Sequence, residues 1–390
     1  MFGARYYIMK KLIFVNIGMM MFRGGGENFD INMSKALHDL GVDVEIYSLQ
    51  PVFRKTNFDS VPRHFGKCTL IRAPWLYPFT QWFHKTPGLS KLKGVRAIPR
   101  LIGQITFELR AYFKLRKLNE SVVVHTCELP LLTYLLSTFS HHSAYMRMPG
   151  PLSNFYDTFL AKNSNGIIAN GDAYSKIEKL HSIKPKLNYV EIGVYDFSKH
   201  ELVSSGKQRE AYSIDQNDFV VLYVGRLINI KNIPMLMEGF SLFKNKVPNS
   251  KLIIVGEGAQ KQDLEILAKH LMIDKSIVFA GNIDKPELAN FYNMADVFAL
   301  TSHYDNFPNV MIEAMSFGLP CVGTNVGGIP NIIFNDSLGV VVSANDTYEL
   351  SSAFSQCYET DFDRNYISSI ISKKYSWNKS AKEYINLLQL

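Results

Sequence analysis

Short apolar runs of strand character alternate with amphipathic, helix-like runs along almost the whole chain. LIFVNI is followed by NFDINMSKALHDLGV and then by VEIYSL; SVVVHT, NGIIAN, AYSKIEKLHSI and NYVEIG continue the pattern. Parallel strands need this order, because each must be reached by a crossover long enough to hold a helix. After the polar stretch KHELVSSGKQREAYSIDQN the alternation restarts with FVVLYVG, NIPMLMEGFSLFKNK, KLIIVG, AQKQDLEILAKHLM, SIVFAG, PELANFYNMA, VFALTS, NVMIEAMSFG and CVGT. The pattern predicts an α/β chain of two Rossmann-like, doubly wound domains facing across a cleft, with residues 200–217 as the linker. The expected domains are 1–198, to which the amphipathic segment 375–390 returns, and 199–374. At 390 residues there is chain enough for roughly two cores.

Hydrophobic residues at 47% and charged residues at 20% place the chain among globular proteins. Cys68, Cys127, Cys321 and Cys357 are far apart, which fits neither a disulfide framework nor a zinc site and suits a reducing, cytoplasmic compartment. No apolar run reaches the roughly eighteen residues of a membrane span. The opening MFGARYYIMKKLIFVNIGMMMF runs straight into Arg23 and glycines without a small-residue cleavage site, so it reads as a first buried strand, with Met9 as the start.

The net charge of +7 is concentrated. Between Phe79 and Lys117 stand Lys85, Lys91, Lys93, Arg96, Arg100, Arg110, Lys114, Arg116 and Lys117 against Glu108 alone, interleaved with aromatics such as Trp82, Phe83, Tyr112 and Phe113. A basic amphipathic surface of this kind suits an anionic membrane face, or else a solvated helix pair. No nucleic-acid recognition motif accompanies it, and nucleic acid is not expected as a partner.

Residues 303–330 read HYDNFPNVMIEAMSFGLPCVGTNVGGIP. Asp305 lies in a loop, Pro308 suits a helix start, and Glu313 falls in the second turn, with Gly318 able to end the helix in the left-handed conformation. Two carboxylates thus flank a helix N-terminus whose N–H groups at Asn309 and Val310 favour a phosphate. Hydroxyl acceptors beside phosphate donors fit a nucleotide-sugar, although acidic helix starts are also ordinary. Arg226 and Lys231 follow the strand and turn ending at Gly225, where a diphosphate would need neutralising. Gly256 and Gly258 form a second turn, and Gly24, Gly25 and Gly26 follow the first strand. His125 closes the strand Val122–Val124. The one Asp-x-Asp, Asp361 to Asp363, reads as a solvated loop.

In this order and spacing, VGR with Lys231 five residues on, VGEG, FAGNI, ADVFALTS, NFPNVMIEAM, GLP and NVGGIP resemble the family 4 (group 1) retaining glycosyltransferases with the GT-B fold, most strongly over Val221–Pro330. The resemblance implies that Glu313 holds the donor ribose and that Asp305, where the family has the longer glutamate, meets the donor sugar. It implies that Arg226 and Lys231 stabilise the departing diphosphate, that Asn309 and Val310 offer backbone donors to the same phosphates, and that Asn306, Phe307 and Pro308, with Gly225, Gly256 and Gly258, line the donor site. Gly281, Asn282 and Ile283 would read the base, and Gly24 and Gly25 would lie near phosphate and acceptor. The family's His-Gly is absent; Arg147-Met148-Pro149-Gly150-Pro151 stand there, which leaves His125 as the candidate for contacting sugar or acceptor. The expected activity is metal- and cofactor-independent transfer from a UDP-sugar to a glycan, lipid-linked, in surface polysaccharide synthesis at the inner membrane face. The alternatives are a nucleotide-sugar epimerase or hydrolase, or a binding subunit with a damaged site.

Overall fold

The computed structural model describes residues 11–17, 25–49, 68–72, 97–150, 155–180, 186–197 and 201–390. Gly24 and residues 79–96 of the basic segment lie outside them. The chain forms two compact units, Met1–Gly193 with Trp377–Leu390, and Val194–Ser376.

The first unit is built on a parallel sheet. In chain order its elements include β1 (Leu12–Asn16), α1 (Gly25–Asp39), β2 (Val44–Leu49), β3 (Cys68–Ile71), α2 (Ala97–Leu115), β4 (Val123–Cys127), β5 (Ser143–Met148), β6 (Gly166–Ala169) and β7 (Leu187–Tyr189). The strand order is β3-β2-β1-β4-β5-β6-β7. Every residue of β1, β2 and β4 is buried, as a sheet covered on both faces requires. The C-terminal helix, Trp377–Leu388, packs on α1, with the Trp377 ring edge-on to Phe29 at 5.6 Å. Gly193 makes room for that docking: a Cβ there would meet the indole at 2.3 Å.

The second unit contains α3 (Ser205–Ala211), β8 (Phe219–Val224), β9 (Ser250–Val255), β10 (Ile277–Gly281), α4 (Leu288–Met294), β11 (Val297–Leu300), α5 (Asn309–Ser316), β12 (Cys321–Thr324) and β13 (Gly339–Val342). Its sheet, also parallel, runs β10-β9-β8-β11-β12-β13. From Val220 to Tyr223 each side chain of β8 is fully buried, so truncating Leu222 to Ala would cost about 2–5 kcal/mol. Both units are therefore doubly wound, as the alternation predicts. Each order reverses beside the first strand, between β1 and β4 and between β8 and β11. In open α/β sheets ligands sit at such reversals, outside the carboxyl ends of the strands.

The expected linker is not a linker throughout. Within residues 200–217, α3 packs against α4. Arg209 is buried, donates to the carbonyls of Met294, Gln216 and Asp218, and pairs with Asp296 at 2.9 Å. A polar stretch can fold this way when its cation satisfies buried carbonyls, which composition does not show. Two strands escape the alternation reading, CTLI and SAYMRM, one for its brevity and the other for the arginine inside it. Asp363, expected in a solvated loop, caps the next helix by accepting from the Tyr366 amide at 2.9 Å.

Candidate active site

At the β8/β11 reversal two loops meet. The first, from Gly225 to Asn232, carries Arg226 and Lys231; the second, from Thr301 to Pro308, carries Asp305. They are tied by the His303 amide on the Ile230 carbonyl at 2.8 Å and the Thr301 hydroxyl on the Asn232 carbonyl at 2.9 Å. Lys231 Nζ then reaches Asp305 Oδ2 at 2.5 Å, each side chain keeping 16% of its surface exposed. Arg226 is exposed on the same loop. Below them the Tyr223 hydroxyl donates to the Arg226 carbonyl at 3.1 Å. Burial pushes that hydroxyl well above its ordinary range, and the Asp305 charge adds to the push, so it stays a donor at neutral pH.

The two glycine turns hold these loops in place. Gly327 has φ +55°, and a Cβ there would lie 1.9 Å from the Asp305 carbonyl oxygen; the amide of Gly328 donates to that same oxygen at 2.8 Å. Gly256 has φ +135°, and its Cβ would lie 1.9 Å from the Gly225 carbonyl oxygen. Close approach of backbone to backbone therefore explains why these turns need glycine. Gly225 bonds Val255, Gly256 bonds Gly281, and the Gly258 turn lies against the carbonyl of Leu227. Past Gly281, Asn282 is exposed and Ile283 packs against the core.

Helix α5 begins one residue later than expected. Pro308 is its N-cap, with φ −75° and ψ 95°, and Asn309 is the first helical residue. Gly318, at φ +79°, follows the helix as the sequence suggests. The first N–H groups of such a helix have no acceptor within it and face outward from its start. Asn306 and Phe307 are half-buried in the loop just before, Phe307 edge-on to Tyr375 at 5.7 Å.

Glu313 is buried, with 4% of its surface exposed. One carboxylate oxygen is held by Lys285 and the other accepts from the Tyr292 hydroxyl at 3.0 Å. Neither partner stands out in the sequence: Lys285 reads as a surface cation between Asp284 and Glu287, and Tyr292 as the apolar face of a helix.

His125 differs from the expectation. It sits in the middle of β4 opposite Phe14, and none of its surface is exposed. Its Nε2 lies 3.0 Å from Asp30 Oδ1 and its Nδ1 meets the Tyr384 hydroxyl of the C-terminal helix. Asp30, also fully buried, accepts from Asn16 at 2.6 Å. Both ring nitrogens are thus engaged in the core, and His125 has no edge left for a sugar. Gly25 starts α1 in the same unit. Arg147, where a His-Gly is absent, is buried with its guanidinium 3.9 Å from the centre of the Phe29 ring.

The sequence profile of the family described as glycosyl transferases group 1 matches residues 204–374. An uncharacterized glycosyltransferase of Methanocaldococcus jannaschii is 30% identical over 186 residues, 47% of either chain. N-acetyl-alpha-D-glucosaminyl L-malate synthase of Bacillus anthracis is 28% identical over 182 residues, 45% of this chain and 46% of that one. The matched stretch thus spans about half the length of these curated relatives. Among solved structures, Anabaena HepE in complex with UDP gives a TM-score of 0.76 at 18% identity, covering 98% of this chain and 100% of that one. A glycosyltransferase from Rickettsia africae gives 0.75 at 18% identity, covering 98% of each. At such identity the structures establish the fold, two parallel-sheet α/β domains over nearly the full length. Residues 204–374, the greater part of the second unit, match the group 1 glycosyl transferases.

Proposed function

We propose that this chain moves a sugar from a nucleotide-diphosphate donor, UDP-linked, to a glycan acceptor, with retention of configuration and without a metal ion. The observation that carries the reading is the Lys231–Asp305 pair at the β8/β11 reversal, beside the start of α5. Breaking a sugar–diphosphate bond builds negative charge on the leaving oxygens. Arg226, Lys231 and the first N–H groups of α5 supply positive charge there, and such prearranged electrostatics are often the largest catalytic contribution. Asp305 keeps Lys231 extended toward the site, so the cation does not have to be ordered during the reaction. The transfer is front-faced: the sugar C1–oxygen bond breaks, the acceptor hydroxyl attacks the same face, and its proton passes to the departing phosphate oxygen. Glu313 binds the ribose, and the loop from Asn306 to Val310 binds the phosphates. An epimerase or hydrolase would need a free base, and His125 is not available as one.

Among curated relatives, the Staphylococcus aureus protein CapM is a capsular polysaccharide biosynthesis glycosyltransferase, which supports a role in surface glycan assembly. For the acceptor we propose a lipid-linked glycan at an anionic membrane face. Among the described residues no helix is long and apolar enough to cross a membrane. Helix α2, however, exposes Leu101, Ile102, Leu109 and Phe113 next to the exposed Arg110, Lys114, Arg116 and Lys117. Apolar side chains rimmed by cations suit shallow insertion among anionic headgroups. In flotation with anionic vesicles at low salt the protein should rise with the lipid and be released by salt; protein left at the bottom overturns the membrane assignment.

Nucleotide release from UDP-, GDP- and ADP-sugars, with and without EDTA and without acceptor, tests the central reading. Slow release of one nucleotide, insensitive to EDTA and lost in Lys231→Ala, is expected. Release that persists in Lys231→Ala, or an isomerised sugar still carrying its nucleotide, contradicts it.

A further inference from the structure

Glu313 is almost wholly buried, and its two oxygens are held separately by Lys285 and Tyr292. Tyr292 is fully buried; burial and the Glu313 charge push its hydroxyl well above the ordinary range, so it donates at any physiological pH. Lys285 is the more accessible partner, with 29% of its side chain exposed. Its ammonium lies 5.6 Å from the centre of the Tyr195 ring and 5.9 Å from that of Phe197. Phe197 in turn packs edge-on to Phe317 at 5.2 Å and to Tyr292 at 6.0 Å. The aromatic wall beside it holds the Lys285 ammonium in position against the buried carboxylate.

A carboxylate offers about four lone-pair positions. Lys285 and Tyr292 occupy one on each oxygen, which leaves one on each. Two acceptors a carboxylate's width apart match the two hydroxyls of a vicinal diol. Asn309, one turn earlier on the same helix face, has its Oδ1 buried with no hydrogen-bond partner, a further acceptor waiting for a donor.

We propose that Lys285 is the positioning residue that makes the donor site select ribose over deoxyribose, by holding Glu313 turned so that both remaining lone pairs face the sugar's vicinal diol. This rests on the donor-site reading above. Because the ribose is remote from the bond that breaks, Lys285 acts on donor binding and not on the chemical step.

The test is calorimetric titration of the full chain with UDP, GDP and ADP and with their 2′-deoxy counterparts. The wild type should prefer the ribonucleotide by about tenfold or more, the scale of one hydrogen bond to a charged acceptor. In Lys285→Met that ratio should fall to about one, and in Lys285→Arg it should return. With a turned-over donor, KM should rise in Lys285→Met while kcat changes by less than about twofold. A merely structural role would lower both or neither and would leave the ribose ratio alone. If Lys285→Met does not melt cooperatively, the same ratio is read on Lys285→Gln. A ribose preference kept in either neutral variant overturns the proposal while the donor site stands. A wild type that binds none of the three ribonucleotides overturns the donor site and the proposal together.

Discussion

The two sheets reverse at equivalent places, and each reversal gathers a carboxylate and a nitrogen base. Between β1 and β4, Asp30 and His125 are fully buried, with Asn16 and Tyr384 closing the cluster. Between β8 and β11, Lys231 and Asp305 pair with part of each side chain still in solvent, next to an exposed Arg226. Closure makes the difference. The first cluster spends its polar atoms on one another and joins the C-terminal helix to α1 and β4. The second keeps charge available to something that arrives from outside. The same residue chemistry thus gives an internal clamp in one unit and, in the other, a partly open charge pair that the proposed function takes as the donor site.

Removing a member of the sealed cluster should have the largest effect on stability. Asp30→Ala leaves His125 and Asn16 without their buried acceptor, and breaking such a pair costs about 3–5 kcal/mol. The melting temperature should drop by roughly 10 °C or more. A variant melting within 2 °C of the wild type, on the order of a surface substitution, would show that the cluster does not clamp the unit.

A smaller effect, shared by the two regions, depends on pH. Tyr384 in the sealed cluster and Tyr223 and Tyr292 in the second unit are all pushed above their ordinary value of 10.0, burial being the first cause in each. In the unfolded chain these hydroxyls ionise near that ordinary value, while in the folded chain they hold their protons. Their contribution is therefore complete below about pH 10 and is lost as pH rises further, by up to about 1.4 kcal/mol per pH unit for each tyrosine. Urea denaturation between pH 8 and 11 should show a plateau and then a fall, and Tyr384→Phe should make the fall shallower. A fall that begins below pH 9 would contradict the assignment.

Smaller still is the stability change expected for Lys231→Ala, about 1 kcal/mol, since part of each side chain in its pair stays in solvent. A loss as large as that of Asp30→Ala would mean that both reversals are clamps.

Much of this was legible in the sequence. The strand and helix alternation predicts both sheets, and the spacing of Asp305, Pro308, Glu313 and Gly318 predicts the loop and helix that carry the site. Burial was not legible. His125 and Lys231 look alike as basic residues near the ends of strands, and only the packing of Tyr384 from the far end of the chain shows that His125 is enclosed. The glycines of VGEG read as a turn; at Gly256, as at Gly327 of NVGGIP, what demands glycine is the close approach of the protein's own backbone. Lys285 was missed because its partner, Glu313, is distant in sequence and no local pattern joins them.

The most direct measurement is calorimetric binding of UDP, GDP and ADP to the wild type, Lys231→Ala and Tyr384→Phe. One nucleoside diphosphate should bind the wild type, bind Tyr384→Phe equally well, and bind Lys231→Ala about tenfold more weakly or worse, as losing one charged contact implies. Affinity kept in Lys231→Ala and lost in folded Tyr384→Phe would place the anion site in the first unit and contradict the central claim.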